Sequence, residues 1–226
     1  MNKILQMLHL QQSLNDSTNG LGWENGKTKN GKIIDWKRCI YLECAELIES
    51  YPWKHWKNID AKADYENIKI ETVDIWHFIM SQALEAYKVK GLGSIESMAK
   101  EIDTLDVMKA FKAESKASQK DYYEQIAITE KLMKTLFCSE DIHALIVAFF
   151  EIAIEAELNL DTLYQLYVGK NILNSFRQDH GYKEGSYIKI WNGEEDNVCM
   201  QQILAAHSDI TPEALYQALE EAYPKA

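Results

Sequence analysis

Proline is scarce in this chain: Pro52, Pro212 and Pro224 are the only three in 226 residues. Long stretches therefore carry no obligatory break, and their richness in Glu, Ala, Leu, Lys and Gln favours helices. Cysteine is nearly as scarce. Cys39, Cys44, Cys138 and Cys199 form no Cys-x-x-Cys pair and no Cys/His zinc pattern, so they read as reduced, mostly buried thiols. No apolar run reaches the ~20 residues that a membrane-spanning helix needs. The longest, over 142–154, is broken by His143 and Glu151. Residues 1–20 are polar and amphipathic, with no secretory h-region, and the chain reads as cytoplasmic with no membrane partner. Basic side chains are outnumbered, 24 against 35 acidic, for a net charge of −11. A body this negative repels nucleic-acid backbones, which argues against a nucleic-acid partner. A small anion such as a nucleotide still suits the places where cations gather, near Trp53 and Lys183.

What is present is enough for one domain over 1–226. A chain of this size buries roughly 70–75% of the surface it exposes when unfolded, so no staple is needed to fold it. A first helix occupies 3–15, followed by a glycine-rich loop over 17–34 with room for a short hairpin. Asp35 reads as the N-cap of a second helix running to Ser50, which Pro52 stops. A third runs from Asp64 to Val89 and ends at Gly91 and Gly93. Helices near 95–115, 119–137 and 140–158 follow, with 90–120 open to an alternative reading as a mobile insertion. The 140–158 segment is apolar on most sides and belongs at the protein's centre or in a subunit interface. Another helix follows Asp161 and ends near Gly181. A polar, glycine- and aromatic-rich stretch spans 181–197. Two short helices close the chain, the second opened by Thr211-Pro212-Glu213. The fold class is all-α.

The chemistry is concentrated in carboxylates. Glu43 and Glu46 lie in the second helix, Glu71 and Asp74 in the third. Each pair is spaced i,i+3 and so projects from one helix face. Their neighbours Ile40, Leu42, Leu47, Ile70, Val73 and Ile75 are apolar, and residues 51–63 leave room for the two helices to pack antiparallel. Four converging carboxylates need neutralising. An all-oxygen donor set favours Mg²⁺, and two such ions ~3.5–4 Å apart can activate water and stabilise a leaving pyrophosphate. Because Glu-x-x-Glu is common on solvated helices, it is the two pairs on adjacent helices that carry the argument. His77 extends the second pair to Glu71-x-x-Asp74-x-x-His77 and admits a di-iron carboxylate bundle as a rival. Glu43 and Glu46, however, lead to Glu49 rather than to histidine. A non-enzymatic helical dimerisation module also stays open.

Several longer motifs accompany these residues: Leu-Gln-Gln-Ser-Leu-Asn-Asp at 10–16, Glu-Cys-Ala-Glu-Leu-Ile-Glu-Ser-Tyr-Pro-Trp-Lys-His-Trp-Lys at 43–57 and Glu-Thr-Val-Asp-Ile-Trp-His-Phe at 71–78. Further on stand Gly-Lys-Asn-Ile-Leu-Asn-Ser-Phe-Arg-Gln at 169–178, Gly-Tyr-Lys-Glu-Gly-Ser-Tyr at 181–187 and Trp-Asn-Gly-Glu-Glu-Asp-Asn at 191–197. Together they make the chain resemble the all-α, dimeric dUTP diphosphatases, part of a wider superfamily of helical NTP pyrophosphohydrolases. Residues 90–135 carry no matching motif.

The resemblance implies Mg²⁺-dependent hydrolysis of dUTP, and of dUDP, to dUMP in a homodimer. Glu43, Glu46, Glu71 and Asp74 would hold two or more Mg²⁺ ions, and Glu46 or its neighbour Glu43 would help deprotonate the attacking water. Another nucleotide specificity within the same superfamily is the nearest alternative. Gln11 and Asn15, at i,i+4, offer the donors and acceptors that a uracil edge requires, although Gln12 competes with Gln11 for that part. Trp53 and His77 would lie near the nucleotide. Lys170, Asn174 and Arg177 fall on one helical face, with Tyr182, Lys183 and Lys189 just beyond, and suit triphosphate oxygens. Asn192 is either a base contact or a turn former.

Overall fold

Capping residues fix where the helices begin. In the computed structural model, which describes residues 2–58, 60–207 and 210–224, the Asp35 side chain accepts from the Arg38 amide at 3.0 Å and opens a helix at Trp36. Asp64 does the same for the Asn67 amide at 3.0 Å. Asp121 and Glu124 form a reciprocal capping box, and Thr211 caps a helix that starts at Pro212. Ten α-helices result among the described residues: α1 (Lys3–Asn19), α2 (Trp36–Glu49), α3 (Tyr65–Lys90), α4 (Ile95–Thr104), α5 (Val107–Phe111), α6 (Tyr122–Cys138), α7 (Ile142–Glu155), α8 (Leu160–Asp179), α9 (Asp196–Ala206) and α10 (Pro212–Ala222). The all-α class is as expected.

Two compact units divide the chain, Met1–Tyr164 and Gln165–Ala226. In the first, α3 is the central element. It packs most extensively against α2 and also meets α1 and α7. Trp76 on α3 stacks on Phe149 of α7 with centroids 4.6 Å apart, and Phe150 lies 5.3 Å away. The α7 side chains Ile146, Phe149, Phe150 and Ala153 are fully buried within this unit. The apolar segment at 140–158 is thus core of the single chain.

The region 90–120 holds α4 and α5 and contributes to the same core. Met98, Ile102, Met108 and Phe111 are all buried, and Phe111 lies 4.8 Å from Phe150. One expected helix over 95–115 is two. Leu105 turns into extended backbone at φ −61° and ψ 138°. Beside it, the Thr104 hydroxyl donates back to the Glu101 carbonyl at 2.7 Å, and Asp103 accepts from Asn2 at 2.6 Å. The Thr104 bond is a local alternative that competes with continuation of the helix.

In the second unit the core is aromatic. Phe176 is fully buried on α8, with Trp191 at 5.8 Å, Tyr216 at 5.3 Å and Tyr223 at 5.4 Å. The stretch 181–197 contains a minimal antiparallel hairpin of β1 (Ile190–Trp191) and β2 (Glu194–Glu195). Its turn places Asn192 at φ 51° and Gly193 at φ 93°, a conformation that Asn-Gly adopts readily and most residues do not. Between α1 and α2, an isolated antiparallel bridge joins Lys27 to Ile33, where the sequence allowed a short hairpin.

Candidate functional site

The antiparallel pairing of α2 and α3 brings three predicted ligands together. One carboxylate oxygen from each of Glu43, Glu46 and Glu71 lies within 4.8 Å of the others. Asp74 is outside this group of three and stands one turn further along α3 from Glu71, on the same helix. The three differ in depth: Glu71 is buried, Glu43 half-buried and Glu46 exposed. Their apolar neighbours hold the register. Ile40, Leu47, Val73 and Ile75 have no exposed surface, and Ile70 is buried. Leu42 departs from expectation, because half of its surface faces solvent.

Unit negative charges at this range repel by on the order of 3 kcal/mol per pair at an effective dielectric of about 20. The nearby thiols feel that field. Burial pushes the Cys44 thiol up to about 12, with the Glu43 charge adding to it. Cys39 is raised by burial first and then by Glu43 and Asp35. Of the four cysteines, Cys44 is buried and Cys138 exposed. A hard divalent cation fits an all-carboxylate group, since it accepts oxygen donors and cancels the repulsion. No histidine or cysteine belongs to the group among the described residues.

A second cluster joins α1 to α3. Gln11 and Asn15 are each at least 95% buried, with His77 and Ser81 beside them. The Gln11 amide donates to Asn15 Oδ1 at 3.1 Å and to Ser81 Oγ at 3.0 Å. Asn15 donates to the same hydroxyl at 3.0 Å, and that hydroxyl donates to the His77 carbonyl at 2.8 Å. His77 Nδ1 donates to Gln11 Oε1 at 2.7 Å. Gln12 points elsewhere, bonding Asp16 at 3.0 Å and Glu24 at 3.3 Å. Of the two glutamines, therefore, Gln11 joins the inward amide cluster. Ser81 was missed in the sequence, where the only signal is its i,i+4 spacing from His77.

Trp53 is half-buried in the turn after α2. Trp56 packs edge-on against it at 5.5 Å, and the Lys54 ammonium stands 5.7 Å over its ring. Its indole N–H is buried, and no hydrogen-bond partner for it lies among the described residues.

Within the second unit, Lys170 is 98% buried on α8 and donates to Asn197 Oδ1 at 2.7 Å. Arg177 donates through Nε and Nη2 to the two oxygens of Asp196, both at 2.8 Å, and through Nη1 to Asn174 Oδ1 at 3.1 Å. Its guanidinium also lies 5.9 Å over the ring of Tyr182, which is half-exposed. Burial would raise the Asp196 carboxyl. The Arg177 hydrogen bonds and charge, then Tyr187 and Lys170, outweigh it and hold that carboxyl below its ordinary range. Lys183 is exposed, and Lys189 pairs with Glu195 at 3.1 Å. Asn192 sits in the hairpin turn. Asp196 and Asn197 close the 191–197 motif, and nothing in their local sequence signals their pairing with Arg177 and Lys170.

Among the described residues no helix is long and apolar enough to cross a membrane. No curated protein matches the chain. A family model described as dUTPase matches residues 3–182.

Proposed function

The chain belongs to the dUTPase family and is an enzyme of dUTP hydrolysis, and from that premise we propose a Mg²⁺-dependent reaction that yields dUMP from dUTP and from dUDP. The observation that carries the proposal is the meeting of Glu43, Glu46 and Glu71 within 4.8 Å. When bound, Mg²⁺ lowers the pKa of water and offsets phosphate charge. Glu43, Glu46 and Glu71 would hold the ions, with Asp74 one turn along. Glu46 is the most exposed of the three carboxylates, so it can take the proton of the attacking water and pass it to solvent. The water oxygen bonds to the β-phosphorus as the bond from that phosphorus to the α–β bridging oxygen breaks. dUMP and pyrophosphate leave from dUTP, and dUMP and phosphate from dUDP. The same bond is broken in both cases, which is why one machinery serves two substrates.

Gln11 and Asn15 read the uracil edge in this proposal, with His77 and Trp53 close to the nucleoside. Lys170, Asn174, Arg177, Tyr182, Lys183 and Lys189 serve the phosphates, and Asn192 shapes the hairpin that follows them. The di-iron reading has less support, because the gathered ligands lack histidine. The four free thiols suit a reducing compartment such as the cytoplasm. The homodimer rests on the family resemblance alone, since the apolar side chains of α7 are already covered within the chain. Light scattering should give twice the 26.1 kDa chain mass, and an active monomer would remove the dimer. For the reaction itself, pyrophosphate release is measured across dUTP, dCTP, dTTP and dATP with and without Mg²⁺. Release from dUTP alone, and only with the metal, is expected. Equal turnover of dCTP would refute the uracil reading.

A further inference from the structure

Asp196 has no exposed surface, yet it is a carboxylate on the first turn of α9. An uncompensated charge there would be severely destabilising. Each of its oxygens receives two hydrogen bonds. Oδ2 accepts from Arg177 Nε and from the Tyr187 hydroxyl, both at 2.8 Å. Oδ1 accepts from Arg177 Nη2 at 2.8 Å and from the Asn197 backbone N–H at 2.9 Å. Four bonds fill the acceptor sites of a carboxylate. The paired contact along the Nε–Nη2 edge fixes both the plane and the rotation of the guanidinium, as a single contact would not. The adjacent Asn197 accepts from Lys170 at 2.7 Å and from Arg177 Nη2 at 3.2 Å. Both cations of the α8 stripe are therefore held by two consecutive residues at the start of α9.

We infer that Asp196 is a positioning residue for phosphate binding: its two-point grip on the Nε–Nη2 edge, with Nη1 held by Asn174 at 3.1 Å, fixes the plane in which the Arg177 guanidinium meets the nucleotide's phosphate oxygens, and with Asn197 it sets the separation of Arg177 and Lys170. This rests on the reading of Arg177 and Lys170 as phosphate-binding groups. Charge alone makes the opposite prediction. An aspartate beside two cations lowers their net charge, so on electrostatics its neutralisation would tighten the grip on a triphosphate. Positioning predicts that neutralisation weakens it, because an Asn offers only one acceptor oxygen to the fork and turns a donor towards it.

The test measures binding of a non-hydrolysable dUTP analogue with Mg²⁺, and of deoxyuridine as the phosphate-free control, by calorimetry on the full-length chain. Asp196→Asn is expected to weaken the analogue by more than tenfold and to leave deoxyuridine within twofold. The double variant Asp196→Asn/Arg177→Lys should bind the analogue no worse than Arg177→Lys alone, since both act through one guanidinium. Unchanged or tighter analogue binding by Asp196→Asn overturns the inference, as does an equal loss for analogue and deoxyuridine. If Arg177→Lys itself binds like the unaltered chain, the phosphate reading of Arg177 has failed, and the inference fails with it. Should circular dichroism show that Asp196→Asn does not fold, Tyr187→Phe removes a single hydrogen bond to the same carboxylate. It is then expected to weaken the analogue about threefold and deoxyuridine not at all, and an unchanged analogue affinity overturns the inference in that chain.

Discussion

The imidazole Nδ1 of His77 lies 2.7 Å from Oε1 of Gln11, and this one bond orients an amide whose nitrogen serves two further acceptors on α1 and α3. The four side chains Gln11, Asn15, His77 and Ser81 are nearly sealed from solvent. Each bonds at least one other member of the cluster.

Gln11→Ala should therefore cost twice over. It leaves groups on Asn15, His77 and Ser81 short of a partner, a loss of about 1–3 kcal/mol in stability. It also removes the amide proposed to meet the uracil edge. The ratio of kcat/KM for dUTP over dCTP should fall at least tenfold, whereas Gln12→Ala should leave it unchanged. Thermal melting and steady-state kinetics on both variants check this. A Gln11→Ala enzyme with unaltered discrimination would show that the cluster is only structural.

Much of this was legible in the sequence because it depends on short spacings. Asp35 and the Thr211-Pro212-Glu213 run mark helix starts by their chemistry, and Gly91 marks an end that the structure confirms at φ 62°. The i,i+3 spacing puts Glu43 with Glu46 on one face of α2 and Glu71 with Asp74 on one face of α3, but only the packing shows that Glu43, Glu46 and Glu71 come together while Asp74 stays outside the group. What the sequence could not carry was long-range pairing. Nothing local says that Asp196 meets Arg177 across 19 residues, or that Ser81 joins Gln11 across 70. The helix break at Leu105 is accompanied by a bond from Asn2 to Asp103, 101 residues away, that no local pattern shows. The surface of α7 looked like interface or core, and only the stacking of Trp76 on Phe149 decides for core.

Glu85 offers a test through pH. Burial, with the charge of Glu24 adding to it, raises its carboxyl above the ordinary value. A raised acid contributes stability that is complete below its unfolded pKa, about 4.3, and is lost as pH rises through the folded pKa. At neutral pH the ionised form is a burden. Glu85→Gln should melt higher than the unaltered chain at pH 7, and the gap should close by about pH 4. Melting curves across that range decide it. A gap that is constant with pH would mean that ionisation of Glu85 is not its source.

The thiols should separate cleanly. Cys138 is exposed, whereas Cys44 is buried with its thiol pushed up to about 12 by burial and by Glu43. Thiolate is the reactive form. In the native protein a colorimetric disulfide reagent should modify Cys138 first and leave Cys44 untouched until denaturant is added. Mass spectrometry of the modified peptides reads the order directly. Early labelling of Cys44 would contradict the packing of α2 against α3.

The most direct test of the metal-centred account is the Mg²⁺ dependence of dUTP hydrolysis in the unaltered chain and in Glu46→Gln, Glu71→Gln and Asp74→Asn. Glu71→Gln and Asp74→Asn remove charge from the metal-holding group, so half-maximal activity should shift to at least tenfold higher Mg²⁺. Glu46→Gln removes the proton acceptor, and its kcat should fall by about 10²-fold or more, while helical circular dichroism stays unchanged in all three. Hydrolysis that persists without Mg²⁺, or wild-type kcat and Mg²⁺ dependence in Glu46→Gln and Glu71→Gln, would contradict the account.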